Sequence, residues 1–191
     1  MGKVKDCLLY ADADFFVAIG NVNIRQSIQT RLQQANCNIA TLIHPKAVIA
    51  DTVTIGRGTV VMAGTVVNPD TCIGEGCIIN TGSSIDHDCV INNYVHISVG
   101  SHLAGTVEIG EKTWIGAGAT VINNIKICEE CMIGAGVVVV KSINKAGMYM
   151  GVPAKRKLQE NIVRGGYYHI VGKSLTASHK LIEKLTVRRA S

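Results

Sequence analysis

The stretch "IDHDCVINNYVH", residues 85–96, contains the side chains best suited to chemistry in this chain. His87 lies between two aspartates, His96 follows nine residues later, and His102 lies six residues beyond it. Imidazole titrates near neutral pH, where a general base is most effective. An isolated exposed histidine is most often simply solvated. Whether these side chains form a site therefore depends on the fold that positions them.

An aliphatic residue recurs at every sixth position through the centre of the chain. A small or β-branched residue follows four positions later, and Gly or Asn often follows directly. This is a hexapeptide repeat, which predicts a β-helix built of short strands and tight corners, with the aliphatic side chains inside. Gly and Asn tolerate the unusual backbone dihedrals of the corners. The aliphatic series is Ile43, Ile49, Ile55, Val61, Val67, Ile73, Ile79, Ile85, Ile91, Ile97, Leu103, Ile109, Ile115, Val121, Ile127, Ile133 and Val139.

Columns of residues follow from this repeat. Three units make one coil of about 18 residues, and coils stack at about 4.8 Å, the spacing of paired strands. All three histidines fall at outward phases. Gly105 lies 18 residues beyond His87, so we expect it to leave space above the imidazole and to expose a backbone N–H. Ala117 and Ala135 are also 18 apart and predict a shallow apolar track that suits a thin, extended ligand such as a phosphopantetheine arm.

The flanking segments differ from the repeat. Residues 15–20 are expected to form a strand, residues 21–36 an amphipathic helix and residues 37–45 a second strand. We therefore predict three parts, listed by residue number: a partial α/β unit over 1–42, a β-helix over 43–157 and a basic, partly helical tail over 158–191. The α/β unit is too small to fold alone, so it must pack on something else.

Composition restricts the function classes. There is no apolar run of about 18 residues and no signal-peptide pattern, so we expect a cytoplasmic protein without a membrane span. The seven cysteines suit small buried positions in a reducing compartment. Cys128 and Cys131 form a lone C-x-x-C, which we interpret as structural, with the two side chains facing different ways. The basic tail lacks interleaved aromatic residues, so nucleic acid is not an expected partner.

Three stretches carry a resemblance to a known family: "DFFVAIGNVNIR", "INTGSSIDHDCVINNYVHISVGSHLAGTVEIG" and the closing "GVPAK". They resemble the hexapeptide-repeat sugar acyltransferases, in particular the UDP-4-amino-sugar N-acetyltransferases and the sialic acid O-acetyltransferases. The resemblance runs from about Asp14 to Lys157. It implies a left-handed parallel β-helix and a homotrimer with the active site between neighbouring prisms. It also implies acetyl-CoA as co-substrate, a sugar or nucleotide-sugar acceptor, and no metal.

The resemblance also implies residue roles. His87 would be the catalytic base, and Asp88 would raise its basicity. An amine or hydroxyl of the sugar would attack the thioester directly, without an acyl-enzyme, while the Gly105 N–H stabilises the oxyanion. The acetyl-CoA site would be lined by His96, Gly105, Ala117, Ala135 and, near the CoA phosphates, Lys155. The acceptor sugar would be contacted by Asn80, with contributions from Gly20 and Asn21.

The first residues depart from the family pattern. Members usually begin with a strand, a glycine-rich turn and a helix that hold a uridine diphosphate. Here "MGKVKDCLLYADAD" stands in that place, without a G-x-G-x-x-G-like turn. We expect either a truncated chain or an acceptor different from the usual one.

Two other functions are consistent with the same repeat. A β-helix that has lost its active site would serve as a rigid scaffold and would bind no CoA. A γ-type carbonic anhydrase would use histidines such as His87, His96 and His102 to hold zinc between subunits. The six-residue step between the last two differs from the five-residue step in that family, which favours the acyltransferase.

Overall fold

The computed structural model describes residues 9–10 and 12–157. The predicted basic tail, residues 158–191, lies outside the described residues, as do residues 1–8. The described part is mainly β: a parallel β-solenoid of about six coils preceded by one helix, consistent with the predicted left-handed β-helix. Among the described residues, no helix is both long and apolar enough to cross a bilayer.

Each coil contributes one short strand to each of three faces, and strands 18 residues apart pair in parallel. The first face contains Leu42–Ile43, Val60–Val61, Ile78–Ile79, His96–Ile97, Trp114–Ile115, Cys131–Ile133 and Gly147–Met150, closed by antiparallel Lys155–Arg156. The second face contains Val48–Ile49, Val66–Val67, Ser84–Ile85, His102–Leu103, Thr120–Val121 and Val138–Val139. The third face contains Thr54–Ile55, Cys72–Ile73, Val90–Ile91, Glu108–Ile109 and Lys126–Ile127.

The core of the prism is the predicted aliphatic series. From Val61 to Val139 every member is at most 3% exposed, and each such side chain contributes roughly 1.5–3 kcal/mol by leaving water. Ile43 is 50% exposed because it lies in the first coil, at the end of the stack. The sixfold pattern therefore predicted the direction of these side chains correctly.

Three corners connect the faces, and each uses a residue of positive φ. We call the turn from the first to the second face the first corner, the next the second corner, and the turn back to the first face the third corner. The second corner places Asp88, Thr106 and Asn124 at φ between 57° and 60°. After the first coil, which has Lys46 there, the first corner has glycine at this place: Gly64, Gly82, Gly100, Gly118 and Gly136.

The front unit has its own small core. It consists of strand β1 (Asp14–Phe15), helix α1 (Val22–Gln34) and strand β2 (Asn38–Ile39), and β1 pairs with β2 in parallel. The helix prediction is confirmed, but the first strand is shorter than the predicted 15–20. The Ile19 N–H donates to the Val17 carbonyl at 3.0 Å, a tight turn that ends the extended segment. The apolar cluster of the front unit consists of Phe15, Val17, Ile28, Leu32 and Ile39.

Polar side chains of α1 attach the front unit to the third corner, as its small size requires. Gln29 donates to the Arg57 carbonyl at 3.2 Å, and Gln33 donates to the Glu75 carboxylate at 2.8 Å. Arg25 is 1% exposed and donates to the prism carbonyls of two successive coils. The front unit therefore packs on the prism, which provides the support that its small size led us to expect.

The prediction for the C-x-x-C pair is wrong in one respect. The sulfur atoms of Cys128 and Cys131 lie 3.5 Å apart and do not face different ways. The two residues are the first and last of a tight corner turn, which brings its ends together whatever the alternation of the flanking strands.

Candidate active site

His87 and Asp88 form an exposed pair on the second corner. His87 Nδ1 lies 2.7 Å from Asp88 Oδ2, and the two side chains are 57% and 58% exposed. Asp88 takes the corner's left-handed conformation, at φ 57°, which aspartate tolerates better than most residues. Because Nδ1 is engaged by the carboxylate, Nε2 is the nitrogen that can exchange a proton with a ligand.

A second carboxylate lies beside this pair. Asp86 accepts hydrogen bonds from the Asn68 side chain at 2.8 Å and from the His87 N–H at 2.9 Å, and these bonds lower its pKa. The hydrogen bond to Asp88 and the negative charge of Asp86 raise the pKa of His87. The imidazole is thus a stronger base than a free histidine, as the sequence predicted for the role of Asp88.

Gly105 lies against the imidazole. A Cβ at this position would be 2.6 Å from His87 Nε2, and Gly105 is buried. We expected Gly105 to leave open space above the imidazole, but the His87 ring itself lies against the glycine and fills that space. Among the backbone hydrogen bonds of the described residues, the Gly105 N–H donates to no carbonyl. The glycine thus determines where Nε2 can lie, while its role in the oxyanion hole stays a prediction.

His96 lies on the first face, in different surroundings. Its ring is stacked on the indole of Trp114, with centroids 5.1 Å apart and an angle of 14° between the planes. His96 Nε2 lies 3.4 Å from Asn80 Nδ2. Trp114 was not predicted as a site residue. It lies 18 residues beyond His96, so the 18-residue column of the repeat could have placed it next to this histidine.

Burial lowers the pKa of His96 from 6.5 to about 4, with a further contribution from the positive charge of Arg25. A protonated ring stacked on an indole would gain a cation–π attraction of about 0.5–1 kcal/mol at an exposed site. A shift of this size corresponds to roughly 3 kcal/mol, so desolvation outweighs that attraction. His96 is therefore uncharged at neutral pH.

The first corner is smooth along its length. Gly82, Gly100, Gly118 and Gly136 have no atom within 4 Å of a Cβ built on them. Ala117 and Ala135 lie directly beside two of these glycines and are exposed, as the predicted apolar track requires. At the other two corners, residues with side chains adopt the same left-handed conformation. The backbone conformation alone therefore does not explain the run of glycines along the first corner.

The closing segment brings cations to one end of this track. Ala154 donates its N–H to the Val138 carbonyl at 2.9 Å, and the exposed Lys155 pairs with Met150 on the first face. A Cβ on Gly134 would lie 3.5 Å from the Met150 side chain. Lys155 is thus close to the last glycine–alanine turn of the first corner, while its contact with CoA stays a prediction.

The loop that contains Gly20 and Asn21 is tied to the third corner, next to the first face. The Asn21 side chain accepts the Ile24 N–H at 3.1 Å and caps α1, so part of its hydrogen-bonding capacity is already used. Arg25 donates to the Gly20 carbonyl at 2.8 Å and to the Tyr94 carbonyl at 3.1 Å. Since Tyr94 lies two residues before His96, this buried guanidinium fixes the loop relative to the His96 strand.

The predicted site residues fall into two groups within one chain. His87, Asp88 and Gly105 lie together on the second corner. The other predicted residues lie on or beside the first face and first corner: Gly20, Asn21, Asn80, His96, Ala117, Ala135 and Lys155. The second face, which carries His102, separates the groups. Within the described residues there is no cluster of three or more His, Cys, Asp or Glu side chains that could hold a metal ion.

Sequence comparisons agree with the repeat. A family model described as bacterial transferase hexapeptide (six repeats) matches residues 106–141. UDP-N-acetylbacillosamine N-acetyltransferase of Bacillus subtilis is 40% identical over 55 residues, which are 29% of this chain. That match spans about a quarter of the curated relative, 26% of its length.

Similar solved structures cover more of the chain. The acetyltransferase domain of PglB from Neisseria gonorrhoeae is 38% identical, with a TM-score of 0.74, over 75% of this chain and 70% of that one. A variant of perosamine N-acetyltransferase from Caulobacter crescentus is 39% identical, with a TM-score of 0.76, over 77% of this chain and 70% of that one. Both structures are thus similar to this chain in sequence as well as in fold.

Proposed function

Because the chain belongs to the family of hexapeptide-repeat sugar acyltransferases, we propose that it is an acetyl-CoA-dependent sugar acetyltransferase. The acceptor would be the amino group of a nucleotide-activated sugar. The names of its relatives support this choice: one acts as a UDP-N-acetylbacillosamine N-acetyltransferase, and another was solved with CoA and GDP-perosamine. The PglB domain was solved with acetyl coenzyme A.

The observation that carries the proposal is the His87–Asp88 pair. The carboxylate 2.7 Å from Nδ1 holds the imidazole with Nε2 as its proton acceptor. The sugar amine would attack the thioester carbonyl, forming the C–N bond, and Nε2 would take the amine proton. The C–S bond would then break, and CoA would leave as a thiolate that is protonated to the thiol. Transfer is direct, so no residue of the chain is acylated.

The remaining predicted residues would bind the two substrates. The pantetheine arm would lie along Ala117 and Ala135, where the bare glycines of the first corner leave room for it. Lys155 would pair with CoA phosphates, and His96 and Gly105 would contact the acetyl group. Asn80, Gly20 and Asn21 would contact the acceptor sugar. The Arg25 bridge from the Gly20 loop to the Tyr94 carbonyl, next to the His96 strand, supports this placement.

We further propose a homotrimer, because the two groups of site residues diverge. A strand and its corner span roughly 15 Å, so the second corner and the first corner of one prism cannot hold the same thioester. A second copy can bring its first corner to the His87 of its neighbour. Exposed apolar side chains on the second face, Val48 at 65% and Val66 at 37%, support a contact there. The cytoplasmic location predicted from the sequence belongs to the same proposal.

The test is acetyl transfer by the full-length protein. Purified protein would be incubated with acetyl-CoA and either UDP-, GDP- and dTDP-linked 4-amino-sugars or sialic acids, and thiol release would be followed. We expect release with at least one amino sugar and a mass gain of one acetyl group on that sugar. Equilibrium binding of acetyl-CoA should be detectable without acceptor. Absence of CoA binding would favour the scaffold, and stoichiometric bound zinc would favour the carbonic anhydrase.

A further inference from the structure

Trp114 is the immediate neighbour of His96 in the next coil of the first face. The parallel stacking of the two rings covers one side of the imidazole. The indole is itself fixed, because its Nε1–H donates to Ser98 Oγ at 2.6 Å. Yet the residue is 45% exposed, so the core of the prism does not account for a tryptophan at this position.

Asn80 determines which nitrogen of His96 carries the proton. Asn80 Oδ1 accepts the Thr81 N–H at 2.8 Å, so its Nδ2, a donor, is the atom that faces His96 Nε2 at 3.4 Å. Nε2 must therefore accept, and the proton of the uncharged ring resides on Nδ1. A protonated ring would present an N–H to the Asn80 amide and lose this contact.

We propose that Trp114 is a positioning residue of the acetyl-transfer site. Its indole fixes the orientation of His96, so that Nε2 accepts from Asn80 and Nδ1–H is presented to bound acetyl-CoA. This inference rests on the proposed function, because His96 and Asn80 serve as binding residues only within it. Trp114 itself touches no reacting atom in the proposal.

The surroundings of His96 agree with this role. Burial lowers the pKa of His96, and the indole supplies part of that cover. The charged group that acts on the ring from helix α1 is Arg25, whose positive charge lowers the pKa in the same direction. Removal of the indole would let water reach the exposed face of the imidazole, so the pKa of His96 should rise.

The first experiment uses the only tryptophan of the chain as a reporter. A protonated imidazole quenches an indole stacked on it, so fluorescence of the full-length protein should fall with a midpoint near pH 4. His96→Gln should remove this transition. Far-UV circular dichroism over the same pH range separates it from acid unfolding.

The second experiment compares two replacements of Trp114. Trp114→Phe keeps a flat ring against His96, whereas the smaller, branched side chain in Trp114→Leu leaves the face of the imidazole uncovered. In Trp114→Leu, NMR titration should show the His96 pKa moving up towards 6.5, and the KM for acetyl-CoA should rise about tenfold, the cost of a misplaced contact. Trp114→Phe should stay within about twofold of the wild type in KM. Met132→Leu, the next residue of the column, is the matched control and should change neither value.

The outcomes separate this inference from the proposed function. An active wild type with the same His96 pKa and the same KM in Trp114→Leu would overturn the positioning role alone. A wild type that neither binds acetyl-CoA nor releases thiol would overturn the proposed function and, with it, this role. If Trp114→Leu does not fold, the Trp114→Phe titration decides: a His96 that titrates like a free histidine there would contradict the stack as its cause.

Discussion

The two histidines of this site have opposite environments, and the difference assigns their roles. His87 is exposed at a corner beside two carboxylates, which raise its pKa, whereas His96 is stacked on Trp114 and half-buried, which lowers its pKa to about 4. The first can take up a proton near neutral pH, and the second stays uncharged and makes hydrogen bonds. Residue type alone does not distinguish a base from a binding residue; the surroundings do.

The two corners differ in the same sense. The second corner carries polar side chains in its left-handed positions, including Asp88. The first corner has glycine in all of its left-handed positions, and Ala63, Ala117 and Ala135 lie beside three of them. One corner therefore supplies chemical groups and the other supplies room. This division agrees with the proposed trimer, in which two copies would share one site.

Loss of His87 should have the largest effect. We expect His87→Gln to lower kcat/KM for acetyl transfer by about 10³-fold, within the range typical of a general base. The side chain is exposed, so the melting temperature should stay close to that of the wild type. Thiol release measures the rate, and circular dichroism checks the fold. His102→Gln is the control, because His102 is also outward and its ring nitrogen is hydrogen-bonded to Ser84 rather than to a carboxylate.

The comparison of the two histidines is tested in the same series. His96→Gln should lower kcat/KM less than His87→Gln does, mainly through the KM for acetyl-CoA. A larger loss of kcat in His96→Gln than in His87→Gln would reverse the assignment.

Gly105→Ala should have the next largest effect. The new methyl group would lie 2.6 Å from His87 Nε2, so the imidazole must move and its alignment with the amine is lost. A displacement of this kind costs roughly 10²-fold in kcat/KM. In the double variant His87→Ala/Gly105→Ala the added methyl should have no further effect on the melting temperature. An equal destabilisation with and without the imidazole would show that the two residues are not coupled.

The sequence alone predicted the parts of this comparison that depend on repetition. The sixfold aliphatic series determined the prism, and the 18-residue column correctly placed Gly105 next to His87. The stack of Trp114 on His96 and the resulting loss of charge were not predicted, because ring orientation is not contained in the period. The contact between Cys128 and Cys131 was missed because strand alternation does not hold across a corner.

Other parts depend on contacts distant in sequence. The helix α1 was predicted from its own spacing, but the buried Arg25 that joins its loop to Tyr94 could not be, since nothing in a helical pattern indicates four carbonyl partners. The roles of Lys155, Asn80 and the loop at Gly20 stay predictions, as does the division into parts at residues 42 and 157.

Asp88→Asn should have a moderate effect with a distinct pH signature. Asn tolerates the left-handed corner at φ 57°, so the fold is kept. The hydrogen bond and charge that raise the pKa of His87 are lost, so this pKa falls and the acid limb of kcat/KM moves to lower pH. The plateau at high pH should fall roughly 10- to 50-fold, because the imidazole is a weaker and less oriented base. An acid limb that does not move would separate Asp88 from the base.

The smallest expected effect concerns the room that the first corner provides. Gly118→Asn keeps a residue that accepts φ near 65° but fills the track between Ala117 and the next coil. We expect the KM for acetyl-CoA to rise roughly tenfold, about 1.4 kcal/mol, with kcat nearly unchanged because the His87 corner is untouched. Lys112→Asn, at φ 59° on the third corner, is the matched control for the backbone change. Equal KM values for both variants would mean that the bare first corner does not carry the ligand, and its glycines would then need another cause, such as close approach of the neighbouring copy.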